Sequence, residues 1–268
     1  MGKIIAVANQ KGGVGKTSLA GAFVKVLVEK YPDKKILAID ADPAVGLSTV
    51  LNIEVDKTID DIRKEVIKNV EDGDTKSAVE LLGEAKYEIY DAIKEQDGYA
   101  FIAIGRPETA GCYCRINSYL KEVITMLSDK FDYVVIDGAP RMTDLARAAI
   151  IASDLIIMPM QPSGADIWAT DDLKHMIEDA KHFKPSIISA VLLNRVFSNT
   201  KLSKEIISNL IENDWSFFDT SIKQRQIYAA AISEGLTIYE MPNNKEAKNE
   251  IESLIEEILK LKEIENGD

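Results

Sequence analysis

Short runs of β-branched and other apolar residues alternate with longer stretches of helical period along most of the chain. The segments Lys3 to Ala8, Lys35 to Asp40, Tyr99 to Ile104, Tyr133 to Ile136, Leu155 to Met160 and Ile187 to Leu193 each read as a strand buried on both faces. Strand, helix and strand repeated in this way predict an α/β fold, a doubly wound and mostly parallel sheet with helices on both faces. From Glu54 to Gln96 the rhythm is interrupted by two charged amphipathic segments, Lys57 to Val70 and Lys76 to Glu95, which read as a helical insertion at about 54–96 within one domain spanning 1–268. A turn at Asp72-Gly73-Asp74 divides that insertion. Near the end, Ile251, Leu254, Ile255, Ile258 and Leu259 fall on one helical face opposite a row of acids, the pattern of a last helix packed on the sheet.

Composition narrows the classes of partner. A chain of 268 residues is long enough to bury a core without disulfides or structural metal. Its 32 basic and 44 acidic residues give a net charge of −12, which disfavours wholesale binding to nucleic acid or anionic lipid. No apolar run approaches the roughly 18 residues that cross a bilayer, and the first strand starts almost at Met1, so the expected location is cytoplasmic with no membrane partner. The polar face of the last helix is crowded with Glu, where a membrane-docking helix carries Lys and Arg. His175 and His182 share a predicted helix and read as solvated surface.

The chemistry starts after the first strand, in Gln10-Lys11-Gly12-Gly13-Val14-Gly15-Lys16-Thr17-Ser18. Glycines here let successive backbone N–H groups turn toward a phosphate, and the following helix adds the positive end of its dipole. Lys16 is placed for the β and γ oxygens and Thr17 offers a hydroxyl to Mg²⁺, so Gly12 to Ser18 are the expected contacts of ATP or ADP. The second strand delivers Asp40 and Asp42, in Asp40-Ala41-Asp42-Pro43, to the carboxyl end of the sheet, where open α/β folds bind ligands. The apolar run Val134-Val135-Ile136 ends in Asp137, a Walker B arrangement expected to hold Mg²⁺ through water, with Gly138 and the residues after it as a hinge. Adenine is expected against Asn194, at the end of the sixth predicted strand, and the backbone near Pro242.

Gln10 stands where the first glycine of a phosphate loop is usual, and a second lysine, Lys11, precedes the glycine pair. In this the loop resembles the ParA/MinD group of deviant Walker A ATPases. The resemblance implies that Lys11 reaches across a dimer to the phosphates bound by the other subunit, so that ATP joins two copies. It also implies that Asp42 orients the attacking water and that Asp40 lies nearer the metal's solvent shell.

Only two cysteines occur, Cys112 and Cys114, too close in sequence for an unstrained disulfide with each other. They read as free thiols or as metal ligands: a pair supplies half of a tetrahedral site, and in a dimer whose axis passes near this loop two copies would supply all of it for Zn²⁺, Ni²⁺ or an iron–sulfur cluster. From Lys3 to about Asp137, including Gly105-Arg106-Pro107-Glu108 and Gly111-Cys112-Tyr113-Cys114, the chain resembles the CooC-type ATPases that serve nickel insertion into carbon monoxide dehydrogenase. That likeness implies a metalloenzyme client and a metal held by the cysteines between subunits. Beyond Asp137, the runs Gln161 to Trp168 and Ile222 to Tyr228 resemble ParA-type partition ATPases, which bind DNA as ATP dimers and point to Lys201, Lys204, Lys223 and Arg225. Two functions therefore stand as expectations. The cysteines favour a metallocentre maturation ATPase, the leading expectation because Cys-x-Cys has specific chemistry, and the back half favours the alternative, a partition or positioning ATPase acting on DNA or a protein partner.

Overall fold

The computed structural model describes residues 2–42, 44, 46–70, 78–105, 113–139, 144–197 and 201–265, and for 66–70, 78–82, 84, 113–119, 144, 202 and 262–265 it describes the backbone alone. Among the described residues seven strands form one sheet in the order β3-β4-β2-β5-β1-β6-β7. They are β1 (Lys3–Val7), β2 (Ile36–Asp40), β3 (Lys94–Gln96), β4 (Tyr99–Ala103), β5 (Tyr133–Asp137), β6 (Leu155–Met160) and β7 (Ile188–Leu193). All neighbours pair in parallel except β3, which runs antiparallel to β4 at one edge. The six strands read from sequence are all present. The seventh, β3, is short and polar, its Lys94-Glu95-Gln96 half-buried to exposed, so neither periodicity nor burial announced it.

Helices cover both faces. On one, α1 (Lys16–Lys30) and the last helix, α10 (Lys245–Glu265), pack over β1, β2 and β5 through Phe23, Leu27, Ile251, Leu254, Ile255 and Ile258. Each fully buried aliphatic or aromatic side chain in such a layer contributes roughly 1.5–3 kcal/mol relative to exposure. On the other face, α3 (Ile59–Val70), α4 (Ala78–Asp91), α5 (Tyr113–Ser128) and α6 (Asp144–Ala152) pack through Ile62, Ile89, Leu120, Ile124 and Leu145. The segment that sequence marks as an insertion is thus the crossover from β2 to β4. Its two helices lie in the helical layer, and its last residues add the antiparallel edge strand. Thr58 starts α3, accepting from Asp61 N–H at 3.2 Å and donating its hydroxyl to the Asp61 carboxylate at 2.6 Å. Gly105, at φ +84°, approaches Thr58 so closely that a Cβ would sit 2.4 Å from its hydroxyl oxygen.

At the other end of the sheet, α7 (Gly164–Lys181) and α8 (Lys201–Glu212) pack on β6 and β7 through Met176, Ile177, Ile206 and Leu210. Two short helices, α2 (Gly46–Val50) and α9 (Gln226–Ser233), complete the set. His175 and His182 are exposed on α7 and just after it, as expected. Among the described residues no helix is long and apolar enough to cross a membrane.

Strand β1 lies between β5 and β6, while the chain's next strand, β2, lies beyond β5. The connections leaving β1 and β6 therefore part in opposite directions at the carboxyl end of β1. A crevice opens at such a point in parallel sheets, and the loop from β1 to α1 lines it here.

Candidate nucleotide site

Gly15 caps α1 in the left-handed region, φ +94°, with no side chain satisfying the first amides of the helix. Those N–H groups and the helix dipole are thereby left for an anion. Gly15 is required twice over, since an added Cβ would stand 2.5 Å from the Asn194 side-chain nitrogen. Asn194 donates that N–H to Val14 O at 2.7 Å and accepts from Arg195 N–H at 2.9 Å. Its amide thus braces the phosphate loop from the end of β7. Gly13, at φ +76°, has open space above it, and its carbonyl accepts from the Gln161 side chain at 3.3 Å.

Lys16 is buried at 6% exposure, and its ammonium donates to Lys11 O at 3.2 Å. Burial pushes its pKa down, and the nearby Asp137 and Asp42 carboxylates work in the opposite direction. The loop therefore curls around a desolvated cation whose counter-charges are two of the aspartates expected from sequence.

Asp40 and Asp137 are partners in sheet register at the ends of β2 and β5. Asp40 is 1% exposed, and its carboxylate accepts from Leu47 N–H at 2.9 Å, Ser48 N–H at 3.3 Å and Asp42 N–H at 3.1 Å. Its structural task is to anchor α2 and the turn carrying Asp42, an occupation that sequence did not suggest for a residue expected near the metal. Asp42 is half-buried and accepts from Ala44 N–H at 2.9 Å.

Asp137 is fully buried, and neither carboxylate oxygen has a well-formed hydrogen bond. The Thr17 hydroxyl and the Lys16 charge lie near enough to favour its ionised form, but burial and the Asp40 charge push its pKa to about 8. Asp40 is raised to about 6, mainly by burial. An oxygen pair left without donors inside a protein fits a hard cation such as Mg²⁺, and the Thr17 hydroxyl beside it supplies a further oxygen.

A pH dependence follows. Asp40 and Asp137 keep their protons to higher pH in the fold than in the unfolded chain, so their ionisation opposes folding as pH rises from about 4 through 8. In nucleotide-free protein the melting temperature should fall between pH 6 and pH 8.5, and Asp137→Asn should flatten that fall. Calorimetry over this range checks it, and an equally steep fall in Asp137→Asn would contradict the assignment.

Lys11 points elsewhere. Its ammonium is ion-paired with Asp166, which is fully buried at the start of α7, while the lysine side chain stays 39% exposed. The other Asp166 oxygen accepts from Gln161 N–H at 3.0 Å. Asn9 accepts from Lys11 N–H at 2.9 Å and donates to Pro159 O at 2.8 Å and Thr170 Oγ1 at 3.2 Å. Asp166 and Asn9 were not singled out from sequence. The signal available for Asp166 was Ser163 three residues earlier, a capping pair in which Asp166 N–H donates to Ser163 Oγ at 3.2 Å.

Beside the phosphate loop a cleft of about 200 Å³ is lined by Ser18, Asn194, Gln224, Arg225, Tyr228 and Ile232, among others. Its place, leading away from Gly15, suits a nucleoside. Asn194 is among the residues that line it. Pro242 is exposed and is not among the residues that line this cleft, which α9 and the segment before it close on one side. Cys112 and the segment 140–143 after Ala139 lie outside the described residues, as does the side chain of Cys114.

Comparison with known proteins places this geometry. Residues 2–192 match the family described as an AAA domain. An uncharacterized ATP-binding protein of Methanocaldococcus jannaschii is 30% identical over 264 residues, covering 97% of this chain and 99% of that protein. The sporulation initiation inhibitor protein Soj of Bacillus subtilis is 29% identical over 218 residues, 78% of this chain and 79% of Soj. Among solved structures, the ATP complex of a Cyanothece McdA variant has a TM-score of 0.76 at 22% identity, with 96% of each chain covered. None of the three carries a metallocentre name, so the expected nickel, zinc or iron–sulfur site and the maturation role gain no support from them. The loop, the aspartates at the strand ends, the sheet order and these likenesses agree: the chain belongs to the ParA/MinD-type P-loop ATPases.

Proposed function

We propose that this chain is a partition or positioning switch that dimerises on Mg²⁺-ATP, engages a partner as the dimer and is released by hydrolysis of ATP to ADP and phosphate. The observation that carries this reading is the position of Lys11. A loop lysine serving its own cradle would point into it, whereas Lys11 is half-exposed beside the cradle and held by Asp166. It is therefore placed to leave that pairing for phosphates presented by a second copy.

The residues divide the work in a stated way. Backbone amides of Gly12 to Thr17 and the start of α1 bind the phosphates, and Lys16 neutralises charge as it moves to the departing oxygens. Thr17 and Asp137 are the residues that would hold Mg²⁺, which when bound offsets phosphate charge. Asp42 sits at the carboxyl end of β2 on the turn that Asp40 anchors, where it orients the attacking water. Lys11 of the second copy completes the clamp.

The partner is more readily a protein than DNA. Of the basic residues that the partition resemblance singles out, Lys201 pairs with Glu205 at 3.4 Å. Arg225 pairs with Glu250 at 2.8 Å and Glu246 at 3.0 Å. Charges already neutralised within the chain release few counterions from a phosphate backbone.

Asp42→Ala tests the cycle. Turnover should fall by about 100-fold or more while the ATP-bound dimer persists, because binding is kept and the water is no longer oriented. Sedimentation in excess Mg²⁺-ATP reads this, and a variant that stays monomeric, or that turns over ATP normally, would refute the role of Asp42.

A further inference from the structure

A second recess adjoins the nucleotide cleft at the edge of the sheet. It lies between α8 and the segment 216–224, which runs beside β7. Ile222 N–H donates to Leu193 O at 2.9 Å, and Val196 N–H donates to Ile222 O at 3.0 Å. The recess measures about 440 Å³ and has an apolar floor of Leu193, Val196, Ile207 and Phe217. Lys204, exposed on α8, and Lys223 stand at its rim.

Neither ammonium meets a carboxylate among the described residues, and Lys223 reaches the Ser221 hydroxyl at 3.2 Å. In a chain of net charge −12 whose nearby cations Lys201 and Arg225 are tied to glutamates, two cations without counter-ions beside an apolar hollow stand apart. Nucleic acid wants a broad positive face, and a neutral apolar ligand gains nothing from the lysines. Apolar floor and cationic rim together complement a peptide that presents a large apolar side chain flanked by Asp or Glu. Asp219 also lines the recess, so the lysines set a cationic rim that one carboxylate only partly offsets.

The recess is mechanically joined to the nucleotide. Leu193 on its floor precedes Asn194, whose amide braces Val14 of the phosphate loop, and Lys223 lines both hollows. We propose that this recess docks an acidic, apolar peptide segment of a partner protein and that its occupation changes how long nucleotide stays bound. The proposal deepens the switch reading, on which it rests, by giving the partner a chemistry and a place.

The test is selection of a displayed random peptide library on the full chain loaded with ADP, followed by binding of the enriched peptides to wild type, Lys204→Glu, Ile207→Ser and, as a surface control, Lys201→Glu. The expected peptides carry acids around an aromatic or aliphatic residue, lose about tenfold in affinity for Lys204→Glu and little for Lys201→Glu. They should also change the release rate of a fluorescent ADP analogue at least about fivefold. Unchanged affinity of that analogue for Lys204→Glu shows that the variant is folded. The proposal is overturned by peptides that ignore Lys204 and Ile207, by their absence, by bound peptides that leave nucleotide release unchanged, or by a short DNA duplex whose binding depends on Lys204. A chain that binds such peptides and couples them to release, yet stays monomeric in ATP, would refute the dimer switch and leave the docking site standing.

Discussion

Lys16→Ala is expected to lower ATP turnover by about 100- to 1,000-fold, the range seen when one preorganised donor is removed from a charge-stabilising site. The magnitude follows from where this lysine sits. Its ammonium is buried, so its field on a phosphate is little screened by water, and the Asp137 and Asp42 carboxylates oppose the lowering of its pKa by burial. Nothing else among the described residues of the loop offers a positive side chain from that depth, since Lys11 is engaged by Asp166. Steady-state phosphate release with a nucleotide-binding control measures the effect. Turnover within a factor of a few of wild type would mean that the loop does not act as a catalytic phosphate cradle.

Lys11→Ala should separate binding from assembly. Affinity of the monomer for ATP is expected to change by less than about threefold, whereas the ATP-induced dimer should be lost, because Lys11 is paired with Asp166 beside its own cradle and the proposed clamp gives it to the other copy. Asp166→Asn should act in the opposite direction. It keeps an acceptor for Gln161 N–H but removes the charge that holds Lys11, so the dimer should form at lower ATP concentration. Breaking a pair that involves a fully buried carboxylate normally costs several kcal/mol, but here the buried charge itself is removed and the exposed lysine regains water. Titrations of oligomeric mass against ATP distinguish the cases. Normal dimers in Lys11→Ala would dismiss the clamp, and an unchanged or higher ATP requirement in Asp166→Asn would show that the ion pair does not restrain it.

Much of this architecture was legible before any coordinates. The apolar runs of β1, β2, β4, β5, β6 and β7 are buried almost throughout, so their continuous hydrophobicity marked them, and the glycine-rich loop stood in the one context that gives it meaning, after a strand and before a helix. Edge strand β3 escaped because it satisfies its backbone on β4 while its side chains face solvent. The anchoring role of Asp40 was not legible because a carboxylate at a strand end looks alike whether it faces a cation or caps a turn, and its three backbone donors come from the fold. Of the two expected adenine contacts, Asn194 lines the cleft beside the phosphate loop and Pro242 does not, while Gln224, Arg225 and Tyr228 line it as well. These residues come from an irregular segment and a short helix, which no periodicity positions. Asp166 sits some 150 residues from Lys11 in sequence, and such pairings are set by how β6 and α7 fold back on β1.

The same distinction explains the reversal in function. The cysteine pair is a local motif with definite chemistry and drew the sequence reading toward metal, while family membership rests on the whole length of the chain, 97% of which aligns with a relative at 30% identity. Likeness to relatives such as Soj supports the positioning reading, and the position of Lys11, paired with Asp166 beside its own cradle, carries it.

The most direct measurement is the mass of the wild-type chain by sedimentation, first with Mg²⁺-ADP and then with Mg²⁺ and a non-hydrolysable ATP analogue. The switch predicts monomer in the first and dimer in the second, with the dimer dissolving when the analogue is exchanged for ADP. A mass that is the same in both nucleotides, whether monomer or dimer, would contradict it.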